Sequence, residues 1–313
     1  MNIPTRFASL AVFVGVLGHA SSEFFAAGSG IAGPELSVWR FLLGGAGLIF
    51  LALMVTGPRN LLRPLQTHSA PLIWYSLIGV SGAYLAFHWS LDFATVIQVA
   101  TLVTTIPIFV GLANMIVNRQ LLTAVKITTG ICAILGLALL ITDGVFDRIF
   151  GGNDSILGVM LALVCAILVA YYAVKVKPII REFGALNVTA LSMMIGGLGL
   201  WLGVGIGFAV WVDPFTLFDR PASGWGSILS LSLWNTTITQ FLWIGGLAAA
   251  ADITRASYLF FLKPVIAAVL AVALLAESLS VLQALAIAVV TGSVLIEIYW
   301  LRIASLFPHR AAE

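Results

Sequence analysis

Residues 155–174 read SILGVMLALVCAILVAYYAV, twenty residues without a charge, with Asp154 before them and Lys175 after. Wound as an α-helix, twenty residues rise about 30 Å, which is the thickness of a bilayer's hydrocarbon core. Nine further stretches meet the same test: Phe7–Ala27, Leu36–Thr56, Ala70–Leu91, Ala94–Val117, Thr123–Thr142, Asn187–Trp211, Trp225–Ala248, Ile253–Leu275 and Val281–Leu301. The breaks between them are short and carry Gly, Pro, Asn, Asp or charge, as in Gly57-Pro58-Arg59-Asn60 and Gly151-Gly152-Asn153-Asp154. No linker is long enough to hold a soluble domain.

Composition agrees. Of 313 residues, 61% are hydrophobic and 9% are charged, whereas a soluble domain carries about 25% charged residues. The sequence therefore predicts an all-α integral membrane protein of about ten transmembrane helices, with the lipid bilayer as its first partner. A net charge of +2 is too small to suggest nucleic acid. Cys132 and Cys165 lie inside apolar runs, so no disulfide framework or zinc site is expected.

Orientation is read from Lys and Arg, which concentrate in cytoplasmic loops. With the N-terminus inside and ten spans alternating, the cytoplasmic side holds Arg6, Arg59, Arg63, Arg119, Lys126, Lys175, Lys177, Arg181, Arg255, Arg302 and Arg310. The outer loops hold Arg148 and Arg220, and Arg40 and Lys263 fall within spans. The bias of eleven to two places both termini in the cytoplasm. One competing account concerns the first span, which has the outline of a cleavable signal peptide with small residues around Gly18-His19-Ala20. Its removal would leave nine spans and move the N-terminus outside.

Ten spans invite a search for an internal repeat. A shift of 157 residues places Ala94 on Ala251, Val96 on Ile253, Leu102 on Leu259, Pro107 on Pro264 and Leu122 on Leu279. The proline match is the telling one, because a mid-helix proline removes a backbone donor and kinks the helix; Pro107 and Pro264 are the expected kinks. Five spans per half make the second half enter the membrane from the opposite side, so the repeat is inverted.

This layout resembles the drug/metabolite transporter superfamily, specifically its tandem EamA-type members. The resemblance is carried by Pro34 to Phe41 with Arg40, by Ala94 to Gln120 with Pro107 midway, and by Ala256 to Leu279 with Leu262-Lys263-Pro264-Val265 and Ala276-Glu277-Ser278-Leu279. Two positions depart from that pattern: Gln120 stands where a glutamate is frequent, and Lys263 where the family carries an uncharged or acidic residue. The resemblance implies two five-helix repeats, residues 1–148 and 149–313. It further implies a multi-pass protein of a bacterial cytoplasmic (inner) membrane that moves a small metabolite by alternating access.

Ionisable groups inside spans are costly and mark candidate sites. Lys263 is the eleventh residue of its twenty-three-residue span, near the midplane. An ammonium there needs an anionic partner, water or a bound substrate, and a structural acid would serve as well as a carboxylate or phosphate ligand. In the eighth span Asn235 and Thr239 are four apart and share a face, with Gln240 and Trp243 close to it. These groups could orient a ligand or simply bond neighbouring helices. Tyr258 and His19 complete the substrate-binding candidates. His19 and Glu23 also share a face, and Glu23 falls near the depth of Arg40 and His88. The reading there is a static Glu23–Arg40 pair or a proton-coupling site, with protons the candidate coupling ion. His88 with Asp92 reads as a solvated helix end, Asp252 with Arg255 as a helix cap or an inner gate. The glycines at 199, 203 and 207 read as a stripe for close helix packing.

The sequence lacks a Walker loop, a dinucleotide fingerprint and the common hydrolase motifs. No cofactor, catalytic residue or metal ligand is expected, and uphill movement would need coupling to a gradient. Three functions therefore compete: a metabolite transporter or facilitator, in which amino acids or related organic acids would be exported; a multidrug cation/proton antiporter using Glu23; and, remotely, a membrane-embedded enzyme acting on lipid-linked substrates. The expected state is a monomer.

Overall fold

The computed structural model describes residues 2–31, 33–94, 99, 102–142, 155–275 and 280–305. Every regular element among them is helical. In chain order these are α1 Ala8–Gly28, α2 Gly33–Ser76, a π-helical stretch Leu77–Gly82, α3 Ala83–Ser90, α4 Ile106–Asn118, α5 Ala124–Thr142, α6 Ser155–Phe183, α7 Ala185–Phe208 and α8 Ala222–Leu229. A second π-helical stretch Ser230–Ile238 follows, then α9 Thr239–Ala249, α10 Ile253–Ser257, a 3-10 turn Tyr258–Phe261, α11 Leu262–Leu275 and α12 Val281–Ser305. Helix falls within each of the ten apolar stretches. The molecule is an all-α membrane protein.

Three details depart from the simple expectation of ten uniform spans. The 44 residues of α2 are not one span: Gly57 (φ 77°) and His68 (φ −128°, ψ 35°) break it. Proline excludes the helical region for the residue before it, and glycine takes the resulting positive φ without a Cβ clash, so Gly57-Pro58 is the hinge. The piece beyond it, expected as a loop, stays helical because proline is pre-organised for a first turn. It buries Leu61 and Pro64 while Arg59 and Arg63 face out.

The two matched prolines mark breaks rather than kinks. Pro107 is the second residue of α4, after a turn at Thr104–Thr105. Pro264 is the third residue of α11, after the 3-10 turn. In a first turn the missing N–H has no intrahelical partner to lose. The fourth span therefore starts a fresh helix at its proline, and the ninth is discontinuous at the corresponding point.

The glycine stripe of α7 does not pack along its length. A Cβ at Gly199 would meet Ser81, but at Gly203 and Gly207 nothing lies within 4 Å. The close approaches are one face away: a Cβ at Gly197 would lie 2.7 Å from the Phe41 carbonyl oxygen, and one at Gly45 2.9 Å from the Met194 backbone.

Numbering the spans one to ten, the largest pairings between spans distant in sequence are first with eighth, first with ninth, second with seventh, second with eighth, third with sixth, third with seventh, fourth with sixth, fourth with ninth, and fifth with tenth. Exchanging each span for the one five places on leaves this set unchanged. The two π-helical stretches obey the same exchange. Ser81 Oγ donates to the Gly196 carbonyl at 2.7 Å, and Thr237 Oγ1 donates to the Gly44 carbonyl at 2.9 Å. Each thus ties its own half of the chain to a glycine of the other.

The first and eighth spans run antiparallel. Gly28 faces Ser227 and Gly15 faces Trp243, while Ala8 and Val12 face Gly246. The Glu35–Arg220 region and the Asp252 region consequently lie at opposite ends of the bundle.

Candidate functional site

A small, partly open cavity of about 30 Å³ lies between these ends. Its wall draws on spans from both halves: His19 and Ser22 of α1, Arg40 of α2, Tyr84 and Phe87 of α3, Ile106 of α4, Cys165 and Val169 of α6, Trp243 of α9, Phe260 of the 3-10 turn and Lys263 of α11. The breaks before Pro107 and Pro264 put Ile106 and Lys263 at the fresh starts of helices, and both side chains face this space.

Each polar group is positioned by packing that the sequence encodes. Gly15 leaves room for the Trp243 backbone, a Cβ there falling 2.7 Å from Trp243 Cβ. Without that glycine α1 could not bring His19 beside the indole. The His19 and Trp243 rings then meet edge to face at 5.2 Å, and Phe260 packs 5.5 Å from His19 and 5.4 Å from Trp243. Arg40 is 3% exposed. Its Nε donates to Thr236 Oγ1 at 3.1 Å, and its guanidinium lies 5.7 Å from the Tyr84 ring, a cation–π distance. Gln240 Nε2 donates to the Tyr84 hydroxyl at 2.6 Å.

Of the residues singled out from the sequence, Lys263, His19, Trp243 and Arg40 come together on the cavity wall. Gln240 stands one bond behind it, through Tyr84. Asn235 instead joins helices, its amide donating to the Gly18 carbonyl and, at 3.1 Å, to Ser21 Oγ. Thr239 packs over Gly18. Tyr258 faces a different space, about 240 Å³ between α4, α5 and α10, and its hydroxyl donates to the Lys126 carbonyl. The expectation of a solvated His88 is corrected: His88 is buried, with Nδ1 2.7 Å from Ser37 Oγ and 3.0 Å from the Tyr84 carbonyl, while Asp92 alone is exposed. The side chain of Glu23 lies outside the described residues, as does Glu277.

Charge pairs flank the cavity at both ends. At one, Arg220 Nη2 donates to Glu35 Oε1 at 3.0 Å, and Trp39 Nε1 donates to the same oxygen at 3.0 Å. At the other, Lys126 Nζ meets Asp252 Oδ2 at 2.5 Å, and Arg255 Nε meets Glu297 Oε1 at 3.2 Å. Asp252 also caps α10, accepting from the Arg255 backbone N–H at 3.0 Å, so the cap and the ion pair are one structure. Burial works against its charged form, but the Lys126 ammonium, the capped N–H and the Arg255 charge prevail and hold the carboxyl below its usual range. Lys177 and Arg181 of α6 complete this end by donating to the carbonyls of Ala248 and Ala250, which the end of α9 leaves open.

Sequence reading missed Glu297, fully buried in α12, because it considered the last span only for its length. It also missed Ser22, Phe87, Cys165, Val169 and Phe260.

An all-helical bundle with a small, largely apolar internal cavity lined by a few polar and cationic side chains, and with ion pairs toward both ends, defines a multi-pass membrane protein. The sequence matches the EamA-like transporter family at residues 6–142 and again at 156–299. The chain belongs to that family and is a membrane transporter. It is similar to the uncharacterized transporter YyaM of Bacillus subtilis, 22% identical over 242 residues, covering 76% of this chain and 75% of that one. It is also similar to an uncharacterized transporter of Clostridium kluyveri, 20% identical over 220 residues, covering 70% and 69%. A protein of known crystal structure superposes with a TM-score of 0.79 at 19% identity, over 95% of this chain and 98% of that one, a likeness of fold.

Proposed function

We propose that the protein is a secondary transporter or facilitator that exports a small metabolite, an amino acid or related organic acid, by alternating access. The observation that carries the reading is the cavity itself: two cationic side chains, Arg40 and Lys263, stand in its wall beside hydrogen-bonding rings, deep between ends closed by ion pairs. A substrate held there contacts both halves, and relative rocking of the halves exposes it to one side and then the other. The double family match and the exchange-invariant pairing support two related halves at 1–148 and 149–313, inverted because each has five spans. The eleven-to-two distribution of basic residues supports both termini in the cytoplasm and insertion in the inner membrane. Binding and movement of a solute need no catalytic residue or cofactor; a gradient, with protons the first to test, supplies any uphill drive. A monomer suffices, since the site is complete within one chain.

The competing multidrug antiporter, working through Glu23, is opposed by the positive charge of Arg40 and Lys263, which repels a cationic drug. Flux in proteoliposomes tests the proposal. Amino or organic acids should cross with wild-type protein, and Lys263→Ala should abolish their movement while leaving the protein folded. Unchanged flux in that variant removes Lys263 from the site. Transport of quaternary ammonium dyes that depends on Glu23 would hand the function to the alternative.

A further inference from the structure

The polar lining of the central cavity is unevenly satisfied. Tyr84 and the Nε of Arg40 bond to neighbouring groups. Trp243 Nε1 and His19 Nε2 have no hydrogen-bond partner among the described residues, although Trp243 is 1% and His19 6% exposed. Buried polar atoms are nearly always paired, and each exception asks for an explanation. Two exceptions on one wall, with rings in edge-to-face contact at 5.2 Å, are explained together if a ligand's acceptor atoms belong beside both.

The chemistry of the two nitrogens narrows that ligand. An indole N–H only donates, so the ligand must present an acceptor to Trp243; a neutral imidazole nitrogen donates or accepts according to tautomer. Lys263 and Arg40 stand in the same lining and favour an acceptor that carries negative charge. Apart from Ser22, the remainder of the wall is apolar, chiefly Phe87, Val103, Ile106, Val169 and Phe260.

Resting on the transporter reading above, we infer that Trp243 Nε1 and His19 Nε2 hold the carboxylate of the transported acid, with its apolar body against Phe260 and Val169. Trp243 is then a specificity-determining residue: it selects for the acceptor group, while the apolar wall sets only the size of the body that group carries.

The test uses full-length detergent-purified protein and four carboxylate probes: benzoate, 3-phenylpropionate, L-leucine and 4-methyl-2-oxopentanoate. Inorganic phosphate and benzyl alcohol are run beside them. Dissociation constants are read by calorimetry for wild type, Trp243→Phe and His19→Phe, with a thermal melt of each. Trp243→Phe keeps an aromatic ring and loses the donor; His19→Phe carries the argument if the first variant does not fold. The expected result is that at least one carboxylate binds wild type, and that its Kd rises roughly ten- to hundredfold in Trp243→Phe, the scale of one hydrogen bond to a charged group. Binding of benzyl alcohol should change little. An unchanged carboxylate Kd in a folded Trp243→Phe overturns the inference, as does binding of phosphate alone or of no carboxylate. Proteoliposome flux of the same probes separates the two claims: carboxylates carried and bound equally by wild type and variant sink the role of Trp243 but leave the transporter standing.

Discussion

At the scale of single residues, glycine positions divide sharply by their surroundings. A Cβ at Gly15 would fall 2.7–2.9 Å from the Cβ, Cα and N of Trp243, and backbone atoms cannot swing aside. Gly15→Ala should therefore lower the melting temperature in detergent, with a loss of about 1–3 kcal/mol typical of overpacking. Gly203→Ala and Gly207→Ala meet open space and gain helix propensity worth up to about 1 kcal/mol, so their melting temperatures should hold or rise. The reverse ranking would contradict the packing described. Asp252 supplies the residue-scale pH dependence. Its folded pKa is depressed, so its contribution to stability is complete above the ordinary carboxylate pKa of about 4 and is lost as pH falls through the lower folded value. Wild type should lose melting temperature more steeply than Asp252→Asn on acidification below about pH 4, and parallel curves would count against the pair. Lys263, His19, Arg40 and Trp243 stood out in the sequence because charge, imidazole and indole are costly or distinctive in an apolar run. Phe87, Val169 and Phe260 could not, since an apolar side chain reads the same whether it faces lipid or a cavity.

Among elements, the helices follow hydropathy closely, because a bilayer demands about twenty apolar residues with every backbone group satisfied. Their interruptions are less legible. The π-helical stretches Leu77–Gly82 and Ser230–Ile238 do not interrupt the apolar length of their spans, and each sets a hydroxyl against a glycine carbonyl of the other half, a contact that sequence spacing does not reveal. Glu297 shows the same limit. It sits between Ile296 and Ile298 in an apolar run, and its partner Arg255 is 42 residues away in α10. Thr129 of α5 donates to its other oxygen at 3.4 Å, so α5, α10 and α12 meet at one carboxylate. Arg255→Ala leaves that carboxylate buried without its cation and should cost about 3–5 kcal/mol. The double variant Arg255→Ala with Glu297→Leu should recover much of the loss, because the stranded charge is gone. Thermal melts of the two variants check this; equal destabilisation would mean that the pair contributes no coupling.

For the whole molecule, the native thiols report on access to the centre. Cys165 lines the cavity and is buried, whereas Cys132 lies on α5 away from it. In a Cys132→Ser background, a membrane-impermeant maleimide should label Cys165 slowly from either side. Glu35→Gln with Arg220→Ala loosens one end, and Asp252→Asn with Glu297→Gln loosens the other. Each pair of changes should speed labelling from its own side alone. Labelling that rises from both sides in either variant would mean unfolding rather than opening, and would remove these ion pairs as closures.

The exchange-invariant pairing also constrains how the protein is made. The first span rests on the eighth and ninth, the second on the seventh and the third on the sixth, so the early spans enter the bilayer before the surfaces they pack against have been synthesised. They must wait in lipid as separate helices, Arg40 among them, until the later spans arrive. The fifth span in turn rests on the tenth, so assembly is completed only after translation has passed the tenth span. Residues 1–142 and 155–313, produced as two polypeptides in one cell, should find each other in the membrane and co-purify, while either alone should fall to membrane proteolysis.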